Sequence, residues 1–142
     1  MNSIAANFST IYRDLTNGTG VLRLEMPDSI DSGMLIEASP EGKVVVNLDS
    51  MSGGEKTLAS LSFLFAILQH YASPFYVLDE IDAALDKANT KKIVDLVKKY
   101  SKHTQFIVIS HNDFTMQEAD KVFGVSMEDC VSKVFGIDLP KE

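Results

Sequence analysis

The 142-residue sequence has a single cysteine, Cys130, and no tryptophan. A lone cysteine excludes an intrachain disulfide and favours a reducing cytoplasm as the location. No apolar run approaches the roughly 18 residues that cross a membrane as a helix, and the N-terminus lacks the charged and apolar regions of a signal peptide. The net charge of −7 argues against a surface that follows nucleic-acid phosphates throughout. These absences leave a globular chain of one domain's length.

The chain also lacks a phosphate-binding loop of the G-x-x-x-x-G-K-[ST] type. None of its eight glycines stands in that pattern, and the Gly42-Lys43 pair has neither the earlier glycine nor the following Ser or Thr. The loop that grips the β-phosphate of ATP in many ATPases is therefore absent from this sequence.

The hydrophobic periodicity predicts an α/β fold with an antiparallel annex. In the first third, helical spacing and then alternation predict a helix over 3–15 and strands over 19–26, 34–38 and 43–48. The rest predicts helices over 55–71 and 88–101, strands over 75–80 and 105–110, and two short strands near 121–126 and 130–138. The strands over 75–80 and 105–110 are continuous apolar runs, which is typical of parallel strands buried on both faces. Strand, helix and strand in that order predict a parallel crossover.

A Ser-Gly-Gly turn, Ser52-Gly53-Gly54, opens the longest apolar helix. Free backbone N–H groups and the positive end of a helix dipole make such a turn a potential anion site. Ser and Gly also cap helices, so a turn of this kind taken alone is better explained as an N-cap.

Two acids and a histidine follow the two apolar strands. Asp79 and Glu80 end "FYVLDE", and His111 follows "QFIVIS". Ligands bind at the carboxyl ends of parallel strands, so the three groups would meet at one edge if the strands are neighbours. One acid could hold Mg²⁺, the other could orient or deprotonate water, and the imidazole could bind a phosphate oxygen. Because adjacent strand residues point to opposite faces, both acids serve one site only if the chain bends after Asp79.

For a third acid, Asp82, the preferred interpretation is a helix cap or a salt-bridge partner.

Taken together, these segments resemble a known family. "MSGGEKTLASLSF" looks like the signature motif of ATP-binding-cassette ATPases, "FYVLDEIDAALD" like a Walker B strand that continues into a D-loop, and "VISHN" like a switch histidine. The set resembles the C-terminal half of the head domain of SMC (structural maintenance of chromosomes) proteins, from about Phe8 to Leu139. Met51 stands where leucine is usual, a change of similar volume with little expected effect. The resemblance implies an α/β fold, half of an ABC-type head, with parallel strands, flanking helices and short antiparallel strands.

The resemblance implies a divided nucleotide site. In the family, the Walker A loop lies on an N-terminal lobe of the same head, and the signature motif acts on ATP bound to a second head. Ser52 would donate its hydroxyl and Gly54 its N–H to the γ-phosphate. By this resemblance, the signature residues that would bind ATP of the second head are Ser52, Gly53, Gly54 and Glu55.

The same resemblance implies roles for the strand-end groups. Asp79 would hold Mg²⁺, Glu80 would position the attacking water, and His111 would contact the γ-phosphate. The D-loop, which couples the two ATP sites, would comprise Ala84, Leu85 and Asp86.

The family's assemblies imply domains and partners. Residues 1–16 would be the foot of a returning coiled-coil helix, and residues 17–142 the C-terminal lobe. Partners would be the N-terminal lobe, a second head (as a homodimer), the winged-helix domain of a kleisin subunit, and DNA in the full complex on the chromosome or nucleoid. The kleisin site would include the last two strands, with Phe123, Val134 or Phe135 as apolar anchors, although any one of them could instead fill the core.

Two alternatives to half an ATPase head stay open at this point. The chain could be a docking module for a kleisin without catalysis of its own. It could also be an unrelated α/β domain in which Ser-Gly-Gly is only a helix cap.

Overall fold

The computed structural model describes residues 2–44, 46–71 and 73–137. The helices are α1 (Asn2–Thr16), α2 (Gly53–His70), α3 (Lys87–Ser101) and α4 (Asp113–Gln117). The strands are β1 (Thr19–Leu24), β2 (Met34–Ser39), β3 (Val46–Asn47), β4 (Phe75–Asp79), β5 (Gln105–Ile109), β6 (Val122–Glu128) and β7 (Val131–Ile137). Within the described part of the chain, no helix is both long enough and apolar enough to span a bilayer.

The strands form three small sheets. β1, β2 and β3 make an antiparallel sheet, β4 and β5 pair in parallel, and β6 and β7 form an antiparallel hairpin. The predicted α/β fold is confirmed. The predicted strand over 43–48 is shorter in the structure, because a 3₁₀ turn, Leu48–Ser50, follows Asn47, and residue 45 lies outside the described part. The hairpin prediction near 130–138 reaches residue 138, which lies outside it too.

The core lies where α1 and α2 meet β1. Phe8 and Tyr12 of α1 are fully buried, as is Phe65 of α2. Gly20 of β1 allows this approach, because a Cβ built there would lie 2.8 Å from the Phe8 ring and 3.0 Å from the Tyr12 ring. Phe65 extends the core toward β5, since its ring lies near that of Phe106 with a centroid separation of 6.1 Å.

Within the part of the chain that the structure describes, only one face of the parallel sheet is covered. Leu78 is buried and Phe106 packs against the core, whereas the alternate residues of both strands are about half exposed. These outward residues, which we call the open sheet face, are Phe75, Val77, Ile107 and Ile109. The prediction that both strands are buried on both faces is therefore wrong for this chain. The reason is that α2 and α3 both pack on the Phe106 side, as the ring contacts of Phe65 with Phe106 and Tyr100 indicate.

The N-terminus of α2 is closed by a capping box. The Ser52 hydroxyl accepts from the Glu55 N–H at 3.4 Å, and the Glu55 carboxylate accepts from the Ser52 N–H at 3.0 Å. The Lys43 ammonium donates to the other Glu55 oxygen at 2.6 Å. Lys43 first, and the Ser52 backbone second, lower the pKa of Glu55 below its ordinary value of 4.5.

This lowered pKa predicts a loss of stability in acid. A carboxyl with a depressed folded-state pKa contributes stability that is present above its unfolded value of 4.5 and is lost as the pH falls through the lower folded value. Glu55→Gln should cost under about 1 kcal/mol at neutral pH, because the pair lies near the surface. The difference in the free energy of unfolding between the two proteins, measured in urea, should shrink as the pH falls below 4.5.

Lys43→Met provides the matched test of the cause. Removal of the ammonium should move the pKa of Glu55 back toward 4.5, which a carboxyl-carbon NMR titration would detect. A stability difference between wild type and Glu55→Gln that stays constant with pH would contradict this account.

Candidate functional site

The register of the parallel sheet brings two loops to one edge. Asp79, the last residue of β4, pairs with Ile109, the last residue of β5. The segments that follow therefore leave the sheet side by side, at its carboxyl end. An open cavity of about 240 Å³ lies between them. Its lining residues are Glu80, Asp82, Ala83, Leu85, His111 and Asn112.

Glu80 and His111 meet in this cavity. The His111 Nε2 lies 3.3 Å from a Glu80 carboxylate oxygen, and both side chains are well exposed. Glu80 has a φ of +47°, a left-handed conformation that is uncommon for a residue with a Cβ. Its N–H donates to the Ile109 carbonyl at 2.9 Å. The expected bend after Asp79 is confirmed, and the cost of the left-handed residue is of the kind that accumulates at functional sites.

Asp79 ends β4 beside this cavity but does not line it. Its side chain is exposed, and no group of three or more His, Cys, Asp or Glu side chains suited to a metal occurs among the described residues. Mg²⁺ often binds through one or two carboxylates, with waters and substrate phosphates as its other ligands. The donor set around Asp79 fits that mode and does not fit an all-protein metal cage.

Asp82 does not have the role predicted for it. It is 4% exposed, and among the described residues it is neither a helix cap nor part of an ion pair. One of its carboxylate oxygens accepts from the Ser110 hydroxyl at 2.7 Å and from the Thr115 hydroxyl. Two hydroxyl residues, Ser110 and Thr115, lie close to His111 in the sequence, and this is a weak signal of the arrangement. Spacing along the chain does not by itself bring these hydroxyls to Asp82.

The turn that opens α2 and the turn that follows β4 are neighbours. A Cβ built on Gly54 would lie 3.4 Å from the Ala84 carbonyl oxygen, so the start of α2 lies against the turn that follows β4. Around Gly53 the space is open, and Ser52 is exposed. Ser52 is the N-cap of α2, and this agrees with the simplest interpretation of a Ser-Gly-Gly turn. In the same way Asp86 caps α3, where its carboxylate accepts from the Asn89 N–H at 2.8 Å.

The β6–β7 hairpin stands away from the core. Phe123 is 65% exposed and Phe135 is 50% exposed, so the alternative that these aromatics fill the core is wrong. Val125 pairs with Val134, and this register puts both on one face with Phe123 and Met127. We call these four residues the apolar hairpin face; each is at least 65% exposed.

Phe135 lies on the opposite face of the hairpin. Its ring covers Gly124, where a built Cβ would lie 2.5 Å from a ring atom. Gly124 therefore leaves the space that this ring occupies over the neighbouring strand.

Comparison with known proteins places these features in a family. A family model described as "RecF/RecN/SMC N terminal domain" matches residues 32–133. The chain is 52% identical over 139 residues to the "Chromosome partition protein Smc" of Methanocaldococcus jannaschii, a match that covers 97% of this chain and 12% of that protein. The chain thus spans about an eighth of that relative's length.

Two solved structures share the fold. One is described as "Crystal structure of the SmcHead bound to the C-winged helix domain of ScpA"; it is 50% identical, with a TM-score of 0.89, over 97% of this chain and 43% of that one. The other is described as "Structural biochemistry of ATP-driven dimerization and DNA stimulated activation of SMC ATPases". It is 48% identical to this chain, with a TM-score of 0.86, and the match covers 96% of this chain and 84% of that one. The chain belongs to the RecF/RecN/SMC family.

Proposed function

We propose that this chain is the C-terminal lobe of an SMC ATPase head and supplies one half of each of two ATP sites. The observation that carries the proposal is the contact of Glu80 with His111, at 3.3 Å, at the edge where β4 and β5 end. The lobe assignment is supported by the order of the motifs along the chain and by the lack of a phosphate-binding loop. Residues 1–16 would be the foot of the coiled coil, and residues 17–142 the lobe itself.

The catalytic edge would act through three side chains. Glu80 orients the attacking water and accepts its proton, and His111 donates a hydrogen bond to a terminal phosphate oxygen. Asp79 would hold Mg²⁺, which would supply positive charge to neutralise the phosphate oxygens. The hydrogen bond of the Glu80 N–H to Ile109 keeps the base at the end of the sheet.

The open sheet face is the surface that the N-terminal lobe of the same head would cover. The register of β4 with β5 puts the residues of this face next to one another. They form a continuous apolar patch that comprises Phe75, Val77, Ile107 and Ile109. An apolar patch of this kind on a sheet is typical of a surface that packs against another layer. The N-terminal lobe would also bring the missing phosphate-binding loop.

The signature turn would serve the ATP of a second head. Ser52 is exposed, the space around Gly53 is open, and the dipole of an 18-residue helix points its positive end there. The Ser52 hydroxyl would exchange its partner Glu55 for the γ-phosphate. The contact of Gly54 with Ala84 would couple this turn to the D-loop, and through Leu85 to the cavity that holds Glu80.

Kleisin docking is a second function that a separate observation favours. The apolar hairpin face is exposed, and a related Smc head is described as bound to the winged-helix domain of ScpA. We propose that the corresponding partner of this chain docks on that face. Chromosome association, with DNA in the full complex, follows from the same proposal.

The first prediction is that this chain alone does not hydrolyse ATP. Adding the N-terminal lobe as a separate polypeptide should restore weak turnover that rises more steeply than linearly with protein concentration, because two heads must meet. Phosphate release measured over a concentration series tests this, with a Glu80→Gln chain as the control for contaminating ATPases. Clear turnover by the purified chain alone would refute the divided site.

In the complete protein, Glu80→Gln should keep ATP binding and lower kcat by about 100-fold or more, because an amide keeps the shape of the side chain but cannot accept the proton. Glu41→Gln, an exposed change in the β2–β3 turn, is the matched control and should leave kcat unchanged. Single-turnover hydrolysis is the measurement. A Glu80→Gln protein that turns over at the normal rate would show that another group is the base.

Phe123→Asp and Val134→Asp should each weaken binding of the kleisin winged-helix domain by about tenfold or more, because a charge must then be buried at an apolar contact. Ser126→Asp, on the opposite face of β6, is the matched control. Calorimetry with the partner domain measures the effect, and ATP-driven dimerisation should be unaffected. Unchanged affinity in both variants would place the docking site elsewhere.

A further inference from the structure

Asp82 links the loop that carries Glu80 to the loop that carries His111. It lies two residues beyond Glu80 in the turn after β4, and it is 4% exposed. Its Oδ2 atom accepts from the Ser110 hydroxyl, which precedes His111, at 2.7 Å. The same atom accepts from the hydroxyl of Thr115, on α4. The chain on both sides of His111 is thus tied to one buried carboxylate oxygen.

The bonds of Ser110 make this connection tighter. The Ser110 hydroxyl donates to Asp82 and at the same time accepts from the Asn112 N–H at 3.0 Å. Asn112 in turn caps α4, where its side-chain oxygen accepts from the Phe114 N–H at 3.0 Å. His111 therefore lies between two residues, Ser110 and Asn112, that are both held by hydrogen bonds, although its own side chain is exposed.

The turn that carries Glu80 is tied to Asp82 from the other side. The Ala83 N–H donates to the Glu80 carbonyl at 3.2 Å, and the Leu85 N–H donates to the Asp82 carbonyl at 3.1 Å. The ladder of β4 with β5 already fixes Glu80 at its N–H, but His111 lies two residues beyond the last strand residue, Ile109. Beyond the end of the sheet, the hydrogen bonds to Asp82 hold the loop that carries His111 beside the turn that carries Glu80.

Hydrogen bonds from hydroxyls to a buried carboxylate are among the stronger ones in proteins, because the acceptor is charged and water does not compete for it. A loop held in this way fixes the backbone from which an exposed side chain projects, without burying that side chain. That combination suits a histidine that must meet a ligand entering from solvent.

We infer that Asp82 is a positioning residue that holds His111 against Glu80 through Ser110 and Thr115. The effect on ATP hydrolysis rests on the function proposed above, but the positioning itself does not. The two are therefore tested separately.

The positioning is tested by NMR on this chain, through the imidazole signals of His111. The chain has three histidines, and His111→Gln assigns the signal. Glu80→Gln should shift the His111 signal, because the two side chains are in contact. In the Ser110→Ala/Thr115→Val background this shift should fall by more than half. The control background, Ser101→Ala/Thr10→Val, removes two exposed helix hydroxyls by the same substitutions and should leave the shift unchanged.

Two further variants keep this test decisive if the double variant folds poorly. Asp82→Asn preserves volume but removes the charge, and it should also reduce the shift. Ser110→Thr retains the hydroxyl and should preserve it. A Glu80→Gln shift of full size in both the double variant and Asp82→Asn would overturn the inference, whatever their effect on stability.

The catalytic consequence is tested in the complete protein. Asp82→Asn and Ser110→Ala should lower kcat by about 10- to 100-fold, as misplacement of a catalytic group by about 1 Å does. KM for ATP should change by less than about threefold, and Ser110→Thr should recover most of kcat. A loss confined to KM would contradict a positioning role. If Glu80→Gln itself had no effect on kcat, the proposed function would fail, while the NMR result would still decide the positioning of His111.

Discussion

The site depends on the parallel pairing of β4 with β5. Their register sets Asp79 opposite Ile109, and this brings the segments that carry Glu80 and His111, which are 31 positions apart in the sequence, to one edge. A register shift of one residue would move each side chain of one strand to the opposite face of the sheet. It would also separate Glu80 from His111. The left-handed Glu80 and the buried Asp82 both act at the end of this ladder, where the sheet no longer guides the chain.

Apolar side chains of the described residues fill a core and also form two exposed patches on paired strands, and these patches fit the proposal that the chain works within an assembly. Phe8, Tyr12 and Phe65 bury themselves completely where α1, α2 and β1 meet. The open sheet face and the apolar hairpin face expose apolar side chains on flat, hydrogen-bonded strands, which is unusual for a surface that stays in water. We assign the first to contact within one head and the second to a partner subunit.

Much of the fold follows from the sequence because periodicity is a local property. The predicted helices over 55–71 and 88–101 correspond to α2 and α3 within two residues at each end. Ser52 of the Ser-Gly-Gly turn caps α2, as the helix-capping preference of serine predicts. The prediction that the parallel strands are buried on both faces is wrong. Burial depends on which faces other elements cover, and an apolar run in the sequence does not reveal this. The prediction that Asp82 is a helix cap or a salt-bridge partner is wrong for a similar reason. Only the tertiary structure brings Ser110 and Thr115 to its carboxylate. The functional roles of the strand-end groups stay predictions, although the contact of Glu80 with His111 at the sheet edge is observed.

The most direct test of the account is complementation between two inactive variants of the complete protein. Ser52→Arg would block the signature turn, and Glu80→Gln would remove the base, so each variant alone should be inactive at both sites of a homodimer. In a mixed dimer one site combines both defects, and the other combines an intact Glu80 with an intact signature turn from the other subunit. Mixing the two proteins should therefore restore ATP hydrolysis, up to about half the wild-type rate per mixed dimer. A mixture that stays inactive, under conditions where mixed dimers form, would contradict a signature turn that acts on the ATP of another head.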